Sequence, residues 1–310
     1  MISTIPFRRG DFNALPQKPN VPHRFFDTIA MDIQVNSKAF GDMKVHVRRF
    51  GEGPPLLLLH GLMTSSYSWR YTFEELGKHF TCYAPDLPGA GHSGHQLETP
   101  YTPAHLGQWL GEVMHTLSIY GCPVIGNSMG GYIAMHLAIQ EPDAISRLLN
   151  LHSPGIPEFR LQALDAVFRI PNAKRLLRWF VQRDAYRFAH KNVHYYDEQL
   201  KSLEEAREYG TPLNHPEGIQ AFIKYLDETM NIQYTRRFKK TLNRKGFVFP
   251  IPLQLQYAKQ DPMVPPRIGK QWKKQIPQAE LIYLNQASHF AHVDSPDQFL
   301  MHALPFLQQE

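Results

Sequence analysis

Two cysteines in 310 residues, Cys82 and Cys122, are too few for a disulfide framework and fall short of a cysteine zinc site. Both read as small buried apolar residues, and their scarcity suits a reducing cytoplasm, the expected compartment. Long hydrophobic runs are missing too. No stretch approaches the roughly 18 to 20 apolar residues of a membrane span. The opening MISTIPFRRGDFNALPQKP carries its charges after a short apolar stretch rather than before it, so neither an anchor nor a secretory signal is expected. Strong charge of one sign is also absent: a net charge of +5 with 16 histidines permits an acidic ligand or surface without requiring one. No recognition motif accompanies that charge, so nucleic acid is not an expected partner. With 43% hydrophobic and 20% charged residues, disorder, collagen and coiled coil are excluded, and the length suffices for one large core or two modest ones.

What is present is a repeated alternation of strand and helix signals. The stretch up to about Val21 holds Pro6, Pro16 and Pro19 without a helical period and should lie extended as a surface strap. From Met43 onward, Lys44 to Phe50 alternate as a half-buried strand. Pro55 to His60 is then a continuous apolar run, the mark of a strand covered on both faces. Similar runs recur at Phe80 to Ala84, Pro123 to Asn127, Arg147 to Leu151, Pro252 to Ala258 and Ala279 to Leu284, with helical patterns at Pro103 to Tyr120, Tyr132 to Gln140 and Pro296 to Leu307. This predicts an α/β fold with a doubly wound, mostly parallel sheet. Between Leu151 and Phe249 the alternation gives way to helical, aromatic and basic sequence, an inserted helical subdomain. Residues 160 to 245 hold 17 Lys+Arg against 10 Asp+Glu, so the basic character belongs to the insertion.

Gly126-Asn127-Ser128-Met129-Gly130-Gly131 lies between an apolar strand and a helix, where G-x-S-x-G means a nucleophile elbow. A tight strand-to-helix turn holds the serine in a strained conformation, and small residues two before and two after let the chains pass. The Met129 amide, at the helix start, would point at an oxyanion formed there. A base and an orienting acid should follow at the ends of later strands. Asp261, in Lys259-Gln260-Asp261-Pro262, and His289, in Ala287-Ser288-His289-Phe290, stand there in the expected order. Asp261 can equally be a turn residue before Pro262, and His292 competes with His289 for the role of base. The other position that could supply the acid, after Leu151, holds His152-Ser153. His60-Gly61-Leu62 follows the Leu56 to Leu59 strand, so the Leu62 amide is the second expected oxyanion donor, with His60 fixing the loop. The glycine-rich Asp86 to Gly94 loop lacks the lysine and spacing of a phosphate loop and reads as structural.

These residues together resemble the α/β-hydrolase superfamily, in the serine hydrolase branch with a helical cap. The resemblance rests on His60-Gly61, DLPGAGHSG at Asp86 to Gly94, GNSMGG at Gly126 to Gly131, Asp261-Pro262 and His289. It implies Ser128, Asp261 and His289 as catalytic triad, the Leu62 and Met129 amides as oxyanion hole, and neither cofactor nor metal. The expected layout is an N-terminal extension over 1–42, a core over 43–153 and 250–310, and a cap over 154–249. Haloalkane dehalogenases and epoxide hydrolases are similar in layout but use an aspartate nucleophile, against which Ser128 argues.

The expected activity is hydrolysis of a carboxylic ester through an acyl-serine, on a small molecule with an apolar or aromatic acyl group. The alternatives are a carbon–carbon bond hydrolase of ring-cleavage products, whose elbow GNSMGG resembles, and a slow-turnover ligand receptor on the same fold. Phe159, Phe168, Trp179, Phe180, Tyr186, Phe188, Tyr195 and Tyr196 are candidates to line the cap side of the site, although they can equally pack cap helices together. Arg175, Arg178, Arg183 and Arg187 fall near helical spacing and could meet an anion or a membrane surface, or simply form a solvated face. His190 and His194, four apart, lack a third ligand for a metal.

Overall fold

The computed structural model describes residues 6–8, 10–244 and 246–309. Among them the apolar runs assemble into one sheet of eight strands: β1 (Ile29–Ser37), β2 (Gly41–Phe50), β3 (Pro55–Leu59), β4 (Thr81–Pro85), β5 (Val124–Asn127), β6 (Leu148–Leu151), β7 (Leu253–Ala258) and β8 (Glu280–Leu284). Their spatial order is β1-β2-β4-β3-β5-β6-β7-β8. The β1–β2 and β2–β4 pairs are antiparallel, and every pair from β4 to β8 is parallel. Side chains alternate between two buried layers, with Leu57, Leu59, Val124 and Leu148 on one face and Leu56, Leu58, Ile125 and Leu149 on the other. Each leucine of β3 is fully buried, worth roughly 1.5–3 kcal/mol apiece relative to exposure.

The helices are α1 (Phe73–Leu76), α2 (Pro103–Thr116), α3 (Met129–Gln140), α4 (Phe159–Phe168), α5 (Ala173–Arg183), α6 (Ala185–Asn192), α7 (Leu203–Gly210), α8 (Pro216–Lys224), α9 (Ile232–Leu242), α10 (Arg267–Gln275), α11 (Ala291–Asp294) and α12 (Pro296–Leu307). Helix α2 begins where Thr102 Oγ1 accepts the His105 N–H at 3.3 Å and Pro103 takes the first helical position. Helices α2, α3 and α10 cover one face of the sheet, and α1, α11 and α12 cover the other. Helices α4 to α9 all fall between β6 and β7, where the strand signals cease. A π-helical turn, Tyr225–Thr229, follows α8, and its Tyr225 hydroxyl donates to the Pro88 carbonyl of the core at 2.8 Å. Deeper in the same junction, Arg70 Nη2 and the Tyr195 hydroxyl both donate to Glu205 Oε2 at 2.6 Å.

Two features differ from the sequence reading. Residues 29–37, expected within an extension, form the edge strand β1 and pair along their whole length with β2. The strap is not wholly extended: Phe12–Ala14 makes a 3₁₀ turn capped by Asp11. It is tied to the insertion by the Leu203 and Glu204 amides, which donate to the Pro16 and Gln17 carbonyls at 2.9 and 3.1 Å. Residues 1–5 and 9 of that stretch lie outside the described residues. Cys82 and Cys122 are free and buried in opposite layers, and burial pushes the Cys122 thiol up to about 12. Among the described residues no helix is long and apolar enough to cross a membrane.

Candidate active site

Ser128 sits between β5 and α3 with φ +51° and ψ −119°, a backbone conformation that side-chain-bearing residues rarely adopt. The turn closes only because its flanks are glycine. A Cβ at Gly126 would stand 2.4 Å from Gly131 Cα, and one at Gly130 would stand 2.4 Å from the His60 carbonyl oxygen. The strain is held by the surroundings. The Ser128 N–H donates to the Leu151 carbonyl at 2.7 Å, and the Ser153 hydroxyl donates to the Ser128 carbonyl at 2.7 Å. Ser128 is half-buried while its neighbours Gly126, Asn127, Met129 and Gly130 are buried, so its side chain is the part of the turn open to a ligand.

His289 lies in the loop after β8 and Asp261 in the loop after β7, and the fold brings them together. His289 Nδ1 is 2.7 Å from Asp261 Oδ2, with both side chains buried. The other carboxylate oxygen accepts the Met263 and Val264 N–H groups at 2.7 and 2.9 Å. Burial alone would raise the Asp261 pKa. The charge and hydrogen bond of His289, with the Val264 amide, outweigh it and hold the carboxyl below its usual range. An ionised Asp261 keeps the proton on Nδ1, which leaves Nε2 as the basic nitrogen. Asn127 Nδ2 donates to the His289 carbonyl at 3.1 Å, so the serine turn and the histidine loop are directly joined. His292 is elsewhere: its ring packs tilted against Trp69 with centroids 4.4 Å apart, buried, and among the described residues neither ring nitrogen has a hydrogen-bond partner.

His152 occupies the strand end beside this pair. Its Nε2 accepts the Ala258 N–H at 2.7 Å, its ring centre is 5.5 Å from that of His289, and burial lowers its pKa to about 3. It is therefore a neutral neighbour of the His289–Asp261 pair. The sequence gives no local sign that Ser153, Asn127 and His152 support the site, because their partners Ser128, His289 and Ala258 come from other segments of the chain. The one available signal was their position at the carboxyl ends of β5 and β6, where such sheets place their sites.

His60 fixes the neighbouring loop. Its Nε2 accepts the Leu87 N–H at 2.9 Å, so Nδ1 bears the proton and donates to the Gly61 carbonyl at 2.8 Å. Thr64 Oγ1 donates to the same carbonyl at 3.0 Å, which pins the stretch containing Leu62. Asp86 acts as a brace, accepting the Ser66 and His92 N–H groups at 2.7 and 2.9 Å. Among the described residues the Leu62 and Met129 amides donate to no protein acceptor. Both residues line the same cavity as Ser128 and His289.

That cavity has a volume of about 930 Å³. The part of its wall that comes from the insertion is mainly apolar, with Leu164, Phe168, Leu177, Phe188, Phe222 and Leu226, and Asn192 and His194 add polar groups to it. Of the eight aromatic candidates only Phe168 and Phe188 line it. Phe159, Trp179 and Phe180 face solvent, and Tyr195 is buried against Glu205. Among the described residues Arg160 is the one Lys or Arg that lines the cavity, and its guanidinium donates to the Pro262 carbonyl at 2.8 Å and the Met263 carbonyl at 3.3 Å. Arg187 pairs with Asp184 and reaches Asn13 instead of the cavity.

The profile of the alpha/beta hydrolase fold family matches residues 54–296. A pimeloyl-[acyl-carrier protein] methyl ester esterase of Vibrio vulnificus is 25% identical over 273 residues, covering 84% of this chain and 97% of its own. An uncharacterized protein of Mycobacterium tuberculosis is 26% identical over 266 residues, covering 81% and 74%. The solved epoxide hydrolase CorEH superposes with a TM-score of 0.74 at 22% identity, covering 90% of this chain and 98% of its own, a likeness of fold alone. With the family profile spanning the sheet from β3 to the start of α12 and the serine turn within it, the chain belongs to the alpha/beta hydrolase fold family.

Proposed function

We propose that the protein is a serine hydrolase of carboxylic esters carrying an apolar or aromatic acyl group. The observation that carries this reading is a serine on a strained turn sharing one apolar cavity with a histidine whose Nδ1 is bound to a buried carboxylate. In the proposed reaction Nε2 of His289 takes the Ser128 proton as Oγ attacks the ester carbonyl. The Leu62 and Met129 N–H groups receive the developing oxyanion. Collapse breaks the C–O bond, the alcohol leaves with the proton from His289, and an acyl-Ser128 remains. Water then gives its proton to Nε2 and attacks the acyl carbon, releasing the acid and restoring the serine. Asp261 holds the tautomer and stabilises the imidazolium throughout. In this reading α4 to α9 are the cap, within residues 154–249.

A carbon–carbon bond hydrolase would use the same groups, but a ring-cleavage dienoate would bring a carboxylate into the cavity, where a free cation would favour it. Arg160 is turned to two backbone carbonyls, which favours the ester. The name of the Vibrio vulnificus relative points the same way. The test is turnover of p-nitrophenyl esters of graded acyl length beside a ring-cleavage dienoate. We expect kcat/KM to rise with acyl size, with dienoate cleavage absent, and His289→Ala and Asp261→Asn to lower kcat by about 10⁴-fold or more with losses far from multiplicative. Thermal shift by esters without turnover would favour a receptor, and dienoate cleavage without ester hydrolysis would favour the carbon–carbon reading.

A further inference from the structure

We propose that the outer face of α4 and α5 docks on an anionic lipid bilayer, at the border of the cavity. Among the described residues, six of the thirteen exposed large apolar side chains fall between Phe159 and Phe180. Scattered exposed apolar residues need no explanation, but a cluster of this kind marks a contact surface. On α5, Leu176, Trp179, Phe180 and Arg183 follow helical spacing as one outward stripe, while Ala173 and Leu177 of the same helix line the cavity. The stripe is thus continuous with the cavity wall.

Charge identifies the occupant. From Phe159 to Arg183 there are six Lys and Arg against one Asp. Lys174 and Arg169 are paired with Asp227 and Asp165, but among the described residues Arg175 and Arg178 have no carboxylate partner. Large apolar side chains rimmed by cations match the boundary between acyl chains and phosphate headgroups, where arginine stems lie along the apolar layer and their heads stay wet. A second copy would set these cations against one another. An acidic protein would satisfy the charge while leaving Leu176, Trp179 and Phe180 in water unless it carried a matching groove.

The four tryptophans make the test specific: Trp69, Trp109 and Trp272 are 0% exposed and Trp179 is 53% exposed. Tryptophan emission, acrylamide quenching and co-sedimentation are measured with vesicles of phosphatidylcholine alone and of phosphatidylcholine mixed equally with phosphatidylglycerol. The expected result is co-sedimentation with the mixed vesicles only, with a blue shift and loss of quenching. Arg175→Glu with Arg178→Glu should weaken partitioning at least about tenfold, and Leu176→Ser with Phe180→Ser should remove the blue shift while leaving the melting temperature unchanged. The readout is binding, so the Ser128→Ala protein must behave as wild type whatever the reaction proves to be. Failure to bind either vesicle, equal binding by the arginine variant, shielding of Trp179 by self-association without lipid, or binding only to an acidic acyl carrier protein would each overturn the proposal.

Discussion

Ser128 carries a side chain on a backbone that glycine would adopt more easily, and its stability consequence can be measured apart from its chemistry. A residue held at such dihedrals costs on the order of 1–3 kcal/mol, whereas glycine loses roughly 0.5–1 kcal/mol through chain entropy. Ser128→Gly should therefore be about 1 kcal/mol more stable than Ser128→Ala, which keeps the Cβ and the strain, while both are inactive. Urea midpoints compare the two, and equal midpoints would show that the turn is not strained. The strained turn at Ser128 and the loop positions that bring Asp261 to His289 were legible in the sequence because each is tied to a local signal: a glycine-flanked serine, or a polar residue just past an apolar strand. Ser153, Asn127 and His152 were not, since a hydroxyl donating to the carbonyl of Ser128 or an amide donating to that of His289 depends on strand order, which no local pattern encodes.

At the scale of elements, two of the polar links between the insertion and the sheet domain can be measured separately. Arg70, just after the 3₁₀ turn Ser66–Trp69, meets Glu205 of α7 at 2.6 Å with both side chains buried. Removing one partner strands a buried charge, so Glu205→Ala should destabilise by about 3–5 kcal/mol. Arg70→Met with Glu205→Leu should cost less than Glu205→Ala alone, as read from urea unfolding. A double variant weaker than the single one would contradict this. The second link is Asp294 of α11, which accepts the Tyr196 N–H at 2.7 Å and the Ser288 N–H at 3.2 Å, beside His289. Burial pushes its pKa up to about 6, against the pull of those hydrogen bonds. Because the folded value lies above the unfolded one of about 3.9, the native state holds the extra proton. This contribution to stability is complete below about pH 4 and is lost as pH rises through about 6. Asp294→Asn should flatten that part of the stability–pH curve, and an unchanged slope would exclude the link.

Across the whole molecule, the central strands and the helices that cover them were readable because strands buried on both faces leave continuous apolar runs. Strand β1 was missed although Ile29, Met31, Ile33 and Val35 alternate, since an edge strand with polar residues between gives a weaker signal than the leucines of β3. The basic, aromatic insertion was legible as helical, but not the direction of its side chains. Phe168 and Phe188 face the cavity while Trp179 and Phe180 face solvent, and only packing of one helix on another decides which. Strand ends, serine turn and insertion all border the 930 Å³ cavity, where Ser128 is proposed as the nucleophile of an acyl transfer. The most direct test of that role is mass spectrometry of the protein after brief exposure to a fluorophosphonate, with peptide mapping and ester hydrolysis followed in the same samples. The expected result is a single adduct on Ser128, formed in step with loss of hydrolysis and absent from Ser128→Ala. An adduct elsewhere, or ester hydrolysis persisting in folded Ser128→Ala, would contradict it.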